Sequence, residues 1–189
     1  MSESETKPTS ATRVCPWWMC YTFDNPLRRL VHQPGKLLGP YLRPGMTAMD
    51  VGCGMGYFSL GMARLVGESG RVIAVDLQQR MLDVLTKRAA RAGVLSRIRT
   101  RRCSPDNIGV NEPVDFILSF WMVHEVADIP GLLEQLRAGL KPGGKCLIVE
   151  PRWHVRVPRF QSILAAAEKA GFRLLAKPRV RFSRAALFE

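Results

Sequence analysis

The apolar residues of the chain follow two different spacings, and the two alternate along most of its length. Short runs that contain apolar residues predict strands, and a continuous apolar run such as Arg71–Val75 is typical of a strand buried on both faces of a sheet. These runs are Met46–Met49, Arg71–Val75, Ile98–Cys103, Asp115–Phe120, Cys146–Val149, Phe172–Leu175 and Ala185–Phe188. Apolar residues at every third or fourth position predict helices between the strands. These positions are Phe58, Met62 and Leu65, then Met81, Leu85 and Ala89, then Leu132, Leu133, Leu136 and Leu140, and finally Phe160, Ile163, Leu164 and Ala167. Alternating strands and helices predict an α/β fold with a doubly wound sheet.

The 189 residues divide into three expected regions. A polar tail over residues 1–13 is expected to be disordered, because it lacks the apolar residues that a packed segment needs. Residues 14–45 are expected to form a lid and short helices, one of them around Leu37 and Leu38. Residues 46–189 are enough for one domain with a sizeable core. Within that domain, the segment Lys141–Lys145 predicts a tight turn that leads into a strand.

The stretch Asp50–Gly56 joins a predicted strand to the helix that follows it. Its glycines alternate at Gly52, Gly54 and Gly56, so backbone N–H groups can approach a ligand closely and the chain can adopt positive φ. The next helix directs its N-terminus to the same place, which favours an anionic group there. A dinucleotide-binding G-x-G-x-x-G motif would need a glycine where the chain has Tyr57. The turn therefore predicts a cofactor other than a dinucleotide.

The pattern Asp50-x-Gly52-x-Gly54-x-Gly56 resembles motif I of the class I S-adenosylmethionine-dependent methyltransferases. Asp76 ends the second predicted strand, where this family carries a carboxylate that accepts hydrogen bonds from both ribose hydroxyls. The turn at 140–144 is similar to a later motif of the family. The resemblance covers residues 25–189. It implies seven strands in the order 3-2-1-4-5-7-6, the seventh antiparallel, with helices on both faces of the sheet and S-adenosylmethionine as the cofactor.

Polar residues at the ends of the predicted strands are expected to meet, because ligands of doubly wound sheets bind at the carboxyl ends of the strands. After the third strand, family members often carry an acidic residue that contacts the adenine amine, and this position falls on Ser104 here. Ser104 or Asp106 would then make the adenine contact, with Cys103 lining the same pocket. The expected cofactor-binding residues are Asp50, Gly52, Gly54, Gly56, Asp76, Leu77, Cys103, Ser104, Pro105, Asp106, Ser119 and Phe120.

His124 and Glu150 are the candidates for catalysis. They follow two strands that are neighbours in the implied order, so their side chains are expected to converge beside the transferred methyl group. An imidazole titrates near neutral pH, which suits a general base that takes a proton from an acceptor hydroxyl, thiol or amine. A second interpretation has His124 capping its helix and Glu150 pairing with a surface arginine. In a third, both residues hold a metal together with His154, although their spacing matches no strong metal motif and we expect none.

Methyl transfer by direct displacement to a small molecule is the function that these features favour, since no inserted substrate domain is present. The lid and the loops after the fourth and fifth strands would then form the acceptor site. The expected substrate-binding residues are Trp17, Trp18, Tyr21, Trp121 and His154.

The net charge of +12 keeps a nucleic-acid partner open as the alternative, either as an RNA methyltransferase or as a basic nucleic-acid-binding protein. The basic residues cluster near the third and sixth predicted strands, at Arg97, Arg99, Arg101, Arg102, Arg173, Lys177, Arg179, Arg181 and Arg184. In the implied order these are the two edge strands, and positive charge on an edge also guards a sheet against aggregation.

The start of the chain, Met1–Lys7, is polar and acidic and does not resemble a signal peptide. The five cysteines are an odd number, which favours reduced thiols over a disulfide framework. The longest apolar run, Phe116–Val123, is far too short to span a bilayer. We therefore expect a cytoplasmic protein without a membrane span.

Overall fold

The computed structural model describes residues 31–189, and the expectations for the tail and for most of the lid lie outside them. The elements in chain order are α1 (Pro34–Leu38), β1 (Thr47–Val51), α2 (Tyr57–Leu65), β2 (Arg71–Asp76), α3 (Gln79–Arg91), β3 (Ile98–Arg102), β4 (Val114–Phe120), α4 (Ile129–Ala138), β5 (Leu140–Pro151), α5 (Val157–Lys169), β6 (Leu174–Ala176) and β7 (Ser183–Phe188). Two single-turn 3-10 helices lie at Leu95–Arg97 and Val123–Glu125. The short helix expected around Leu37 and Leu38 is confirmed.

The strands form one sheet in the order β3-β2-β1-β4-β5-β7-β6. Strands β1 to β5 pair in parallel with one another, and β7 is antiparallel to both β5 and β6. This is the order and the direction that the sequence resemblance implies. The carboxyl ends of β1, β2, β3 and β4 therefore meet along one edge of the sheet.

Two apolar cores cover the two faces of the sheet. On one face, α1, α2 and α3 pack through residues such as Leu38, Met62 and Leu85. On the other face, α4 and α5 pack through residues such as Leu133 and Ile163. Because successive side chains of a strand point to opposite faces, each central strand contributes to both cores. Helices on both faces are thus confirmed.

The sequence prediction was wrong at the start of β5. Leu140 continues the helical spacing of α4, but it pairs with Val114 as the first residue of the strand. Gly139 ends the helix, and Leu140 fills the core from the strand with 6% of its surface exposed. The expected tight turn is an irregularity inside the strand, since the ladder passes from Val114–Leu140 to Phe116–Lys145 and leaves residues 141–144 outside it. Spacing alone does not separate these cases, because a buried leucine satisfies either element.

The two edge strands are β3 and β6, as the implied order requires. Part of the positive charge near them is paired. Arg99 contacts Glu112 at 3.1 Å, and Arg173 contacts Glu189 at 2.6 Å. Among the described helices, none is long and apolar enough to cross a bilayer.

Candidate active site

A cleft of about 710 Å³ lies at the carboxyl ends of the strands. One end is bordered by the residues that follow β2 and β3, and the other by those that follow β4 and β5. Most of the residues expected from the sequence line it, and these are Asp50, Gly52, Gly54, Asp76, Leu77, Cys103, Ser104, Pro105, Asp106, Phe120, Trp121, His124 and His154. Of the remaining expected residues, Trp17, Trp18 and Tyr21 lie outside the described part of the chain.

Three expected site residues do not border the cleft. Gly56 lies behind it, where a Cβ atom would come within 2.5 Å of Cγ of Leu85, so its missing side chain lets α3 pack closely. Ser119 is fully buried in β4 between Val51 and Ile148. Its hydroxyl has no hydrogen-bond partner among the described residues. Glu150 is also fully buried, and it acts on the cleft through a neighbouring side chain.

The glycine loop is fastened to β2 and opens towards the cleft. The N–H groups of Gly52 and Cys53 both donate to the carbonyl oxygen of Val75, at 2.9 and 3.0 Å. Gly54 has a φ of 52°, and a Cβ atom built on it would meet nothing within 4 Å. Since Gly54 lines the cleft, a side chain there would enter space that a ligand can use.

Asp76 holds the glycine loop to the end of β2. Its Oδ2 accepts a hydrogen bond from Gly54 N–H at 2.9 Å, and its Oδ1 accepts one from Gln78 N–H at 2.9 Å. Burial raises the pKa of this carboxyl, and the backbone hydrogen bonds oppose the rise. Each carboxylate oxygen has a second lone pair, so Asp76 can still accept hydrogen bonds from a ligand.

Asp50 is almost fully buried below the glycine loop. Its Oδ2 accepts a hydrogen bond from the hydroxyl of Ser59, on α2, at 2.5 Å. This hydrogen bond joins the start of α2 to the end of β1. Asp50 thus contributes to the shape of the loop as well as to the wall of the cleft.

The loop after β3 forms the opposite wall at this end. Within it, the hydroxyl of Ser104 donates to Oδ1 of Asp106 at 2.7 Å, which lowers the pKa of that exposed carboxyl. Burial and the charge of Asp76 raise the pKa of the nearby Cys103 thiol to about 11. At neutral pH this wall of the cleft thus carries a neutral thiol and an ionised carboxyl.

His124 and Glu150 meet at the other end, as expected from the sequence. Nδ1 of His124 lies 2.5 Å from Oε2 of Glu150, and Oε1 accepts a hydrogen bond from Val123 N–H at 3.0 Å. Glu150 is thus fully buried and its ion-pair partner is His124, so the interpretation in which it pairs with a surface arginine is wrong. The ring of His154 stacks on that of His124 with centroids 5.6 Å apart. Among residues 31–189, no three His, Cys, Asp or Glu side chains are grouped to hold a metal.

Trp121 begins an aromatic wall beside His124. Its φ is 62°, a left-handed conformation that is rare for a bulky residue and that points to a local constraint. The indole N–H donates to Oγ of Ser183 at 3.0 Å. The ring of Trp153 packs edge-on at 5.0 Å, and that of Phe120 lies at 5.2 Å.

Sequence reasoning missed two residues that support the site. His32 packs its ring 5.1 Å from Phe120 and 5.2 Å from Trp121, and its Nε2 lies 2.8 Å from the carbonyl oxygen of Arg181. Gln135 holds the loop after β3 from α4. Neither residue belongs to a motif. The apolar spacing of α4 placed Gln135 on a helix but gave no sign of its contact with a loop 27 residues away.

The comparisons with known proteins agree with this geometry. A family model described as a methyltransferase domain matches residues 48–144, slightly more than half of the chain. The chain belongs to the class I S-adenosylmethionine-dependent methyltransferases. In its fold, this methyltransferase is similar to a SAM-dependent methyltransferase from Aquifex aeolicus, with a TM-score of 0.84 and 24% identity over 93% of this chain and 98% of that one.

Curated relatives of this methyltransferase carry names that refer to quinones. It is 33% identical to a demethylmenaquinone methyltransferase from Symbiobacterium thermophilum, over 58% of this chain and 44% of the relative. It is 27% identical to the ubiquinone/menaquinone biosynthesis C-methyltransferase UbiE of Vibrio vulnificus, over 71% of this chain and 51% of the relative. The chain spans about half the length of the curated relatives it matches.

Proposed function

We propose that this methyltransferase moves a methyl group from S-adenosylmethionine to a small acceptor and that His124 removes the acceptor's proton. The hydrogen bond between His124 and Glu150 carries the proposal, because it places a buried carboxylate behind an imidazole at one end of the cofactor cleft. If His124 served only to cap a helix, it would not need a buried carboxylate as a hydrogen-bond partner. The pairing of a base with an orienting carboxylate is a recurring arrangement in proton transfer.

The residues at the other end of the cleft fit the cofactor. Asp76 offers carboxylate lone pairs at the mouth of the glycine loop, as binding of ribose hydroxyls requires. Gly54 leaves open the space that the cofactor would fill. Ser104 and Asp106 stand across the cleft, where the adenine group would lie. Asp50, Gly52 and Phe120 would surround the methionine part.

The chain's own contribution to the reaction is to orient the acceptor and to move a proton. S-adenosylmethionine supplies a methyl group that its sulfonium already activates. In this proposal Glu150 accepts a hydrogen bond from Nδ1–H of His124, which leaves the lone pair of the imidazole on Nε2. That nitrogen is the base that takes the proton of the acceptor. The aromatic wall orients the acceptor and excludes water, which favours direct displacement.

The wall of Trp121, Trp153 and Phe120 favours a planar acceptor, and the proposed base His124 favours one with an acidic hydroxyl. The quinone names of the curated relatives agree with this class, although they belong to those longer proteins. A reduced quinone has both an aromatic ring and ionisable hydroxyls. We also propose that Trp17, Trp18 and Tyr21 cover this end as a lid. The names of the curated relatives do not support the RNA alternative.

The test starts from purified full-length protein and short-tailed reduced analogues of demethylmenaquinone, with phenols, thiols and amines as the comparison panel. Formation of S-adenosylhomocysteine reports turnover. His124→Ala is expected to lower kcat by about 10²–10⁴-fold. Glu150→Gln is expected to lower kcat and to shift the pH profile, because it changes the hydrogen bond on Nδ1.

Cofactor affinity, measured by calorimetry, is the control for both variants and should remain unchanged. If His124→Ala turns over within about tenfold of the unchanged protein at saturating acceptor, His124 is not the base. If no acceptor in the panel is methylated while the cofactor binds, the acceptor class is wrong and the cofactor site stands.

A further inference from the structure

Three large apolar side chains are exposed on two segments of the chain that adjoin each other, and one of them, Trp153, lines the acceptor end of the cleft. Trp153, Val157 and Phe182 expose 54%, 50% and 52% of their surface. The backbone joins the segments that carry them, since Arg152 N–H donates to the carbonyl oxygen of Phe182 at 3.0 Å. We call Trp153, Val157 and Phe182, with the basic residues of the same two segments, the mouth patch. Large apolar surface is rarely left in water without a partner.

The positive charge of the chain is concentrated in the same region. Residues 151–189 contain nine Lys and Arg but only two Asp and Glu, which is a net +7 of the total +12. Six exposed cations belong to the two segments of the mouth patch, and these are Arg152, Arg156, Arg159, Lys177, Arg179 and Arg181. None of the six forms an ion pair with an acidic side chain of residues 31–189. Protecting an edge strand from aggregation needs only a few such charges, so this role does not account for all six cations.

The backbone of Phe182 has an unfavourable conformation, although its side chain is about half exposed and packs little. Its φ is 58°, in the left-handed region that is unfavourable for a residue other than glycine. The guanidinium of Arg181 lies over its ring, 5.3 Å from the centroid. Backbone strain of this kind is retained mainly where the residue has a function. The strain presents an aromatic ring and a cation side by side to the outside.

We propose that the mouth patch docks the enzyme on the surface of an anionic lipid bilayer. Aromatic and aliphatic side chains enter the boundary between headgroups and acyl chains, while arginines bind the lipid phosphates. The exposed valine distinguishes this partner from a nucleic acid, because an aliphatic side chain offers no face on which a base can stack. The N-terminal segment is not the anion, since residues 1–30 contain four Lys and Arg against three Asp and Glu.

Docking through the mouth patch would set the orientation of the cleft relative to the bilayer. Trp153 belongs both to the patch and to the lining of the cleft. The acceptor end would therefore face the bilayer, and the cofactor end, near Asp76, would face the aqueous side. The proposal concerns the surface alone and holds for any acceptor.

The test is co-sedimentation of the full-length protein with vesicles of phosphatidylcholine, with and without phosphatidylglycerol. Binding is expected only with the anionic lipid. It should weaken strongly between about 0.1 M and about 1 M salt, because the Debye length falls from about 10 Å to about 3 Å. Equal binding to both vesicles, or no binding to either, would overturn the proposal.

Paired variants test the position of the surface. Arg156→Gln with Arg181→Gln should weaken vesicle binding about 30-fold, because each cation near an anionic surface contributes about a factor of five. The matched control is Lys87→Gln with Arg91→Gln, which removes the same charge from exposed positions on α3. Phe182→Asn, which tolerates the positive φ, should weaken binding up to about tenfold, while Leu95→Asn should not.

Cofactor affinity of each variant, measured by calorimetry, shows that the fold is intact. If the control pair weakens vesicle binding as much as the patch pair, binding follows net charge and the patch is not the docking surface. If the protein binds a single-stranded RNA instead of vesicles, and the patch variants lose it, the partner is a nucleic acid and the lipid proposal fails.

Discussion

Trp121 and Ser183 connect the end of β4 to the start of β7 across the intervening strand β5. The indole N–H donates to the serine hydroxyl at 3.0 Å, and that hydroxyl in turn lies 3.3 Å from the carbonyl oxygen of Arg181. Ser183 is buried, with 2% of its surface exposed. The hydrogen bond therefore fixes a strained tryptophan of the cleft from a residue that does not itself border the cleft.

Replacing Ser183 with alanine is expected to leave the indole N–H without its acceptor. The free energy of unfolding should fall by about 1–2 kcal/mol, measured by urea denaturation. Trp121→Phe removes the donor from the other side, so a double-mutant cycle isolates the pair and should give a coupling of about 0.5–1.5 kcal/mol. Additive effects of the two changes would show that the hydrogen bond contributes nothing to stability.

Gln135 is the second residue that supports the site through hydrogen bonds to a distant part of the chain, and it also borders the cleft. Its Oε1 accepts from Ile108 N–H at 2.9 Å and its Nε2 donates to the carbonyl oxygen of Asp106 at 2.8 Å. Gln135→Ala should lower cofactor affinity by up to about tenfold and speed hydrogen exchange at Ile108, because a neutral hydrogen bond contributes about 1 kcal/mol. The exposed neighbour Glu134→Ala is the control. Unchanged exchange at Ile108 would contradict the role of Gln135.

Much of the fold could be predicted because buried parallel strands leave a clear apolar signal. The strand ends then bring Asp76 and His124 to one edge without further information. The pairing of His124 with Glu150 follows from the neighbouring positions of β4 and β5. These features follow from the order of the strands in the sheet. Apolar spacing together with one recognisable glycine turn is enough to predict that order.

The remaining features depend on single side chains that meet across long separations. The contact of Trp121 with Ser183 spans 62 residues and that of His32 with Arg181 spans 149. A lone serine or histidine carries no periodic signal, so the sequence could not show which partner it has. The boundary at Leu140 failed for a different reason, because an apolar residue between a helix and a strand suits both.

The raised pKa of Asp76 predicts a pH dependence of cofactor binding. Burial favours the protonated carboxyl in the folded protein, so its pKa exceeds the ordinary 3.8. Ribose hydroxyls need the ionised form, and affinity should fall as the pH drops through the raised value. The stability of the protein without cofactor should change in the opposite direction. Because the folded state binds this proton more tightly, the contribution of Asp76 to the free energy of unfolding is lost as the pH rises through the raised pKa.

Calorimetry across this pH range checks the prediction. Asp76→Ala should weaken binding by about 10- to 150-fold at neutral pH and remove the pH dependence. Equal affinity in both proteins would exclude Asp76 from the site.

The reactivity of the Cys103 thiol should depend on the charge of the Asp76 carboxylate. Its pKa of about 11 reflects burial first and the charge of Asp76 second. Because the thiolate is the reactive form, alkylation by iodoacetamide at neutral pH should be slow compared with a free cysteine. Asp76→Asn should accelerate it, as the negative charge that opposes ionisation is removed. Mass spectrometry locates the label, and Cys103→Ser supplies the control. An unchanged rate would indicate that burial alone sets the reactivity.

Gly54 and Gly56 stand two residues apart in the same loop, and the structure gives them different tasks. Both have positive φ, 52° and 83°, so alanine at either position carries a similar backbone penalty of roughly 1–2 kcal/mol. The surroundings of the added methyl group differ between the two positions. At Gly56 it would come within 2.5 Å of Leu85 in the core, whereas at Gly54 it would enter open space in the cleft.

Gly56→Ala is therefore expected to be the more destabilising change, by about 1–3 kcal/mol beyond the shared penalty, because the core around Leu85 is overpacked. Gly54→Ala should keep more of the stability but lose cofactor affinity by at least about tenfold, since the methyl occupies ligand space. Urea denaturation and calorimetry on both variants separate the two effects. The reverse result, with the larger loss of affinity at Gly56 in protein that remains folded, would show that Gly56 contacts the cofactor and that the cleft extends behind the loop.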